Sequence, residues 1–191
     1  MKKDNFDEGT QLEEFVSQED MARIKTELVS CPDANNSLVG TITALSKNYA
    51  KSVLITNSEM IIDEQGLIMD AFIFAAANYV AQAAVNKEFS VLISSKSYFY
   101  APLKMGDILE LEAHALFDES SKKRSVKVVG RVKEIKVFET SIQIICTDEH
   151  IFKLKRPPTQ AVKQEEAPQQ TPASNINPEA MAASLLASMG K

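Results

Sequence analysis

From Asp70 to Asn86 nearly every position is apolar, the run Asp-Ala-Phe-Ile-Phe-Ala-Ala-Ala-Asn-Tyr-Val-Ala-Gln-Ala-Ala-Val-Asn being rich in alanine and free of Gly and Pro. Such a run predicts a helix buried on most of its circumference, with Asp70 suited to cap its start. About 17 residues at ~1.5 Å each make a rod of roughly 25 Å. Asn78 and Gln82 interrupt the run, which falls short of the ~20 apolar residues a membrane span needs. Ahead of it the pattern is strand-like over 39–45 and 52–56, with a shorter apolar run over 60–62 and a turn over 63–66, where Gly66 supplies a positive φ. Behind it come longer segments over 91–99, 107–117, 124–137 and 140–152. They are separated by Pro102 to Gly106, by a polar stretch from Asp118 to Lys122, and by a tight corner expected at Phe138–Glu139. Val126, Val128 and Val132 alternate with Lys127, Arg131 and Lys133, as in a sheet wet on one side. No crossover helices separate these segments, so the strands are antiparallel. The fold class is α+β, one long central helix wrapped by a curved antiparallel sheet.

Composition adds boundaries. The 191 residues and 45% hydrophobic content suit one domain with appendages, read as an acidic helical arm over 1–36, a main domain over 37–156, a Pro/Gln-rich linker over 157–177 and a short helix over 178–191. In the arm, four Lys/Arg stand against eight Asp/Glu over 1–30, and Met21, Ile24 and Leu28 share a helical face; the acidic balance argues against a helix-turn-helix. Over 178–191 an Asn177–Pro178 start precedes a stripe of Met181, Leu185, Leu186 and Met189, which suits either docking to a protein partner or a short helix that simply frays. A net charge of −5 argues against bulk affinity for nucleic acid or anionic lipid while leaving room for a local basic patch, and the N-terminus lacks the apolar core of a secretion signal, so the expected location is the cytoplasm. Cys31 and Cys146 lie far apart and the histidines, His114 and His150, lack ligand spacing, so neither a disulfide framework nor a metal site is expected.

The stretch Tyr98-Phe-Tyr-Ala-Pro102-Leu-Lys-Met-Gly106-Asp107-Ile-Leu109 resembles the aromatic-x-x-P-x-x-x-G-D-x-L pattern of hotdog-fold acyl-CoA thioesterases and acyl-CoA-binding proteins. Gly66-Leu-Ile-Met-Asp70 through Phe74-Ala-Ala-Ala-Asn78 is similar to the effector domain of the fatty-acid synthesis repressor FapR. The likeness extends over about residues 37–154. The complete chain is also similar to a hotdog protein co-expressed with flagellar genes in some bacteria, and a link to virulence goes with it. The resemblance implies a homodimer that holds an acyl-CoA thioester at the subunit interface, with no further cofactor. Where FapR has an arginine just before the helix this chain has Met69, so a plain acyl group is expected rather than malonyl.

Within that frame, free N–H groups at the helix start, over Ala71 to Ile73, suit a thioester carbonyl, and Phe72, Phe74 and Tyr79 suit an acyl channel, although each also suits packing against a sheet. Related thioesterases place a carboxylate base on the helix at the position that is Asn78 here; an amide takes no proton in this range but orients a ligand. Gln82 shares its face. Asp63, Glu64 and Asp70 remain as catalytic candidates, Asp70 with the rival use of a cap. Lys122, Lys123 and Arg124 form a basic run suited to the phosphates of coenzyme A, or to a merely solvated hairpin. Three functions stay open: acyl-thioester binding with little or no hydrolysis, a thioesterase using one of those carboxylates, and an adaptor recruiting a partner through the terminal helix.

Overall fold

The computed structural model describes residues 12–116 and 121–154. The linker expected over 157–177, the helix expected over 178–191 and the first eleven residues of the arm lie outside the described residues.

The arm contains α1, Gln18–Glu27, which starts where the Ser17 hydroxyl accepts from the Asp20 amide at 3.1 Å, satisfying one of the amides that a helix start leaves without a partner. Val16 and Ile24 are buried in the main core, so the arm is anchored on its own domain. A single helical turn, α2 (Asn36–Val39), leads into β1 (Thr41–Ser46) and β2 (Tyr49–Ile55), joined by Lys47 and Asn48 with Asn48 at φ 60°. The two strands thus begin and end a few residues away from the expected 39–45 and 52–56, with Val39 taken into α2. Then come α3 (Asp70–Val85), β3 (Ser90–Phe99), β4 (Ile108–Ala115), β5 (Lys123–Val132), β6 (Ile135–Cys146) and a single 3-10 turn, Ile151–Lys153.

All six strands form one curved antiparallel sheet in the order β1-β2-β4-β5-β6-β3. The helix that connects β2 to β3 therefore runs beneath the strands between them, packing on β1, β2, β4, β5 and β6. Its alanines make this possible. Ala76, Ala77, Ala81, Ala83 and Ala84 are buried together with Ile73 and Val80, against Leu109 and Leu111 of β4, Val126 and Val128 of β5, and Phe138, Ile142 and Ile144 of β6. Small side chains let the helix lie close to the sheet at crystal-like packing density. Gly130 inside β5 has the same cause, since a Cβ there would sit 3.0 Å from Leu111 Cδ2 and 3.2 Å from both Leu109 Cδ1 and Phe138 Cβ.

Two local expectations are corrected. The corner between the last two strands lies at Lys133–Glu134, both with positive φ (48° and 70°), and β6 passes straight through Phe138 and Glu139. Phe138 is fully buried and fills the space above Gly130, which a turn residue would not do. Met69, not Asp70, is the N-cap of α3, and it caps with no side-chain hydrogen bond; Asp70 is the first helical residue and is exposed. Asn86 lies just beyond the helix as a left-handed C-cap (φ 47°, ψ 57°). Among the described residues no helix is long and apolar enough to cross a membrane.

Candidate functional site

The start of α3 is fixed by two turns latched to each other. In the first, Asp63 Oδ1 accepts from the amides of Gln65 and Leu67, each at 2.9 Å, while Gly66 takes φ 80°. In the second, the Pro102-to-Asp107 stretch, Asp107 Oδ2 accepts from the Lys104 amide at 2.9 Å and Gly106 takes φ 90°. The Thr56 hydroxyl, at the end of β2, reaches the carbonyls of Lys104 (2.8 Å) and Asp107 (2.9 Å). The Ile68 amide donates to Leu103, and the Met105 amide to Gly66. The P-x-x-x-G-D pattern is thus a backbone lock that sets the height at which α3 begins. Ile61, Ile62, Met69 and Met105 around this lock are exposed.

On α3 itself, burial has a helical period. Ala71, Phe74, Ala75, Asn78 and Gln82 form a strip that the sheet covers less fully than the opposite face. Ile73 is wholly buried and points into the core, whereas Phe72 and Phe74 are half-buried against it. The Phe72 amide is engaged by the Met69 carbonyl at 3.0 Å, so this one of the three expected amides is already committed. Tyr79 is buried, and burial, followed by the neighbouring Cys31, holds its phenol above the ordinary range. Burial likewise raises the Cys31 thiol, which disfavours the thiolate. Gln82 Oε1 accepts from Ser90 Oγ at 3.0 Å and so joins α3 to the start of β3. Asn78 differs: its Oδ1 is buried with no hydrogen-bond partner.

The candidate carboxylates do not converge on Asn78 in any recorded contact. Asp63 spends one oxygen on the turn before the helix, and Glu64 and Asp70 are exposed. Lys122, Lys123 and Arg124 do not form one patch either. Lys122 reaches Asp148 at 2.6 Å on the surface and Lys123 is exposed, but Arg124 turns inward and is 3% exposed. Strand alternation explains this, since Arg124 shares its parity with the buried Val126 and Val128; that signal was present in the sequence. Asn86 was legible only as a helix end. In the structure its Oδ1 accepts from the amides of Val29 (2.9 Å) and Ser30 (3.4 Å) while its Nδ2 donates to the Glu27 carbonyl at 2.9 Å, so it clamps the arm to the helix. Among the described residues no cluster of His, Cys, Asp and Glu is arranged to hold a metal.

No family model matches the chain. The crystal structure of Cj0977, a sigma28-regulated virulence protein from Campylobacter jejuni, is 71% identical, with a TM-score of 0.72 over 73% of this chain and 99% of that one. The chain belongs to the same family as Cj0977 and has the hotdog fold. The uncharacterised protein PH1136 from Pyrococcus horikoshii is a second member, 31% identical, with a TM-score of 0.64 over 66% of this chain and 96% of that one. A hypothetical thioesterase from Streptococcus pneumoniae, solved with coenzyme A, shares only the hotdog fold, being 11% identical with a TM-score of 0.55 over 68% of this chain and 98% of that one. The methylthioribose-1-phosphate isomerase of Aquifex aeolicus is 35% identical over 105 residues, 55% of this chain. This hotdog chain spans only 23% of that enzyme's length.

Proposed function

We propose that two copies of this chain pair as a cytoplasmic homodimer whose seam binds an acyl-CoA or a related acyl thioester with little or no hydrolysis. The observation that carries the reading is Asn78: a buried carbonyl oxygen without a donor costs about 1–3 kcal/mol, and an amide N–H of the pantetheine arm is a donor of the right kind. The position is the one at which related thioesterases keep a carboxylate, and an amide there orients a ligand without serving as a base. The uncapped start of α3 adds partial positive charge for the thioester carbonyl, and Phe72 and Phe74 supply apolar surface for the chain.

Support for the dimer comes from β3. It is a ten-residue edge strand bonded on one side only, to β6, and it carries exposed Ile93, Tyr98 and Phe99. Soluble monomers blunt such edges. Within the less covered strip of α3, Ala71 and Ala75 offer small side chains for the close approach of a second helix. Of the coenzyme A phosphates, the diphosphate is assigned to Lys122 and Lys123 on the exposed hairpin, and the sigma28-regulated setting of Cj0977 is carried over with the same reading.

The test is to incubate the full chain with acyl-CoAs of varied length, following thermal stability and free thiol together, with sedimentation to give the oligomer. A dimer stabilised by acyl-CoA without thiol release supports the proposal. Thiol release abolished by Asp63→Asn, Glu64→Gln or Asp70→Asn would establish a thioesterase instead. Neither response, together with a captured protein lost on deleting 178–191, would favour an adaptor.

A further inference from the structure

At the opposite end of α3 a cleft of 300 Å³ is lined by Glu27, Lys47, Asn48, Val85, Lys87 and Arg124, among others. Arg124 is the unusual member. It is 3% exposed, and its Nη2 reaches Asn48 Oδ1 at 2.6 Å and the Leu116 carbonyl at 3.5 Å, both neutral acceptors. Its Nε is buried with no partner, and no carboxylate among the described residues pairs with it. A guanidinium stays protonated throughout the accessible pH range, so it cannot escape burial by shedding its charge. Buried charges are ordinarily paired. The carbonyl end of α3 offsets part of the charge, but none of its carbonyls is bonded to Arg124. Glu27, the carboxylate that lines the cleft, is turned to Arg23 at 3.0 Å, while Lys87 adds a second positive charge at the mouth.

We propose that this cleft is an oxyanion site for a phosphate group, anchored by Arg124 and assisted by Lys87. Its volume lies at the lower end of small-molecule sites, about 300–1,000 Å³, which suits a phosphate with a small body attached. The inference stands apart from the thioester seam, because it concerns the other end of a helix about 24 Å long. One chemistry has two sources here, a free phosphate compound or the 3′-phosphate of coenzyme A.

The experiment uses the full chain at constant ionic strength. Thermal midpoints are followed against inorganic phosphate, coenzyme A and dephospho-coenzyme A, with chloride as the salt control and phosphorus NMR line broadening as a second readout. The expected result is a saturable rise with inorganic phosphate, weakened at least several-fold in Lys87→Ala and lost in Arg124→Gln. A coenzyme A response that dephospho-coenzyme A fails to reproduce and that Lys87→Ala weakens assigns the 3′-phosphate; equal responses to both, beside the inorganic phosphate response, assign a free phosphate compound. Because Arg124→Gln alters a buried position, Lys87→Ala, at an exposed residue, keeps the test decisive. Responses no larger than chloride, or undiminished in both variants, overturn the site. Acyl-CoA stabilisation that persists in Arg124→Gln leaves the seam standing, so the two readings fail separately.

Discussion

The two ends of α3 are finished by different means. At the C-terminal end polar side chains do the work: Asn86 takes the left-handed cap and clamps the arm through three hydrogen bonds, and Arg124 and Asn48 sit beneath it. At the N-terminal end the backbone does it. Two interlocked turns set the helix in place, Met69 caps it without a side-chain bond, and Ile61, Ile62, Met69 and Met105 are left facing outward. One end is clamped by side chains of the chain that makes it. The other is held in position but left uncovered, which is what a site completed by a second subunit requires.

The largest effect expected along this axis is at Ile73, the wholly buried residue that ties the first turn of α3 to the core. Ile73→Ala should cost about 2–5 kcal/mol by lost transfer energy and cavity, read as the midpoint of urea unfolding. A loss below 1 kcal/mol would show that the lock alone, not packing, holds the open end. Next comes the clamped end. Asn86→Ala removes two good hydrogen bonds at about 1 kcal/mol each and leaves in left-handed backbone a residue without the short polar side chain that favours it, for a total of about 2–3 kcal/mol. Asn86→Gly keeps the conformation and loses only the clamp, so it should cost about 1 kcal/mol less and speed hydrogen exchange at Val29. Equal losses in the two variants would mean that the clamp matters and the left-handed cap does not.

How much of this contrast was readable beforehand follows from the kind of signal each part leaves. The helix was legible because an alanine-rich stretch without Gly or Pro has few other structures open to it, and β5 was legible because Val126 and Val128 alternate with Lys127. The P-x-x-x-G-D lock was visible as a pattern, though not what it holds. The β5–β6 corner was misplaced because Lys133 and Glu134 adopt positive φ without the Asn or Gly that advertises such a turn. Asn86 was out of reach for another reason: its partners are about 57 residues away in sequence, and no local pattern encodes a clamp of that span. Arg124 lay between these cases, since its parity with the valines was present but a basic run draws the eye to the surface.

A smaller effect of opposite sign is expected at Asn78. If its Oδ1 has no donor until ligand arrives, Asn78→Leu, which keeps the volume and removes the buried acceptor, should raise stability by about 1 kcal/mol and abolish stabilisation by acyl-CoA. The check is a pair of thermal unfolding curves with and without acyl-CoA. A variant less stable than the parent by more than 1 kcal/mol would mean that the amide is satisfied across the dimer, moving Asn78 from the ligand to the interface.

The smallest effect belongs to Asp70, and it tests whether the open end is open. As the exposed first residue of a helix whose cap contributes no side chain, its carboxylate acts on α3 through the field of the helix terminus rather than through a bond. Asp70→Asn should therefore cost about 0.5 kcal/mol at low ionic strength, and most of that cost should vanish in high salt, because a charge in water is screened within about a Debye length. Urea unfolding in the two salts reads it directly. A loss above about 1.5 kcal/mol, or one indifferent to salt, would require a hydrogen bond or a dry environment around the carboxylate. The start of α3 would then be covered in the assembled molecule, and Asp70 would become a stronger candidate for the base than for a bystander.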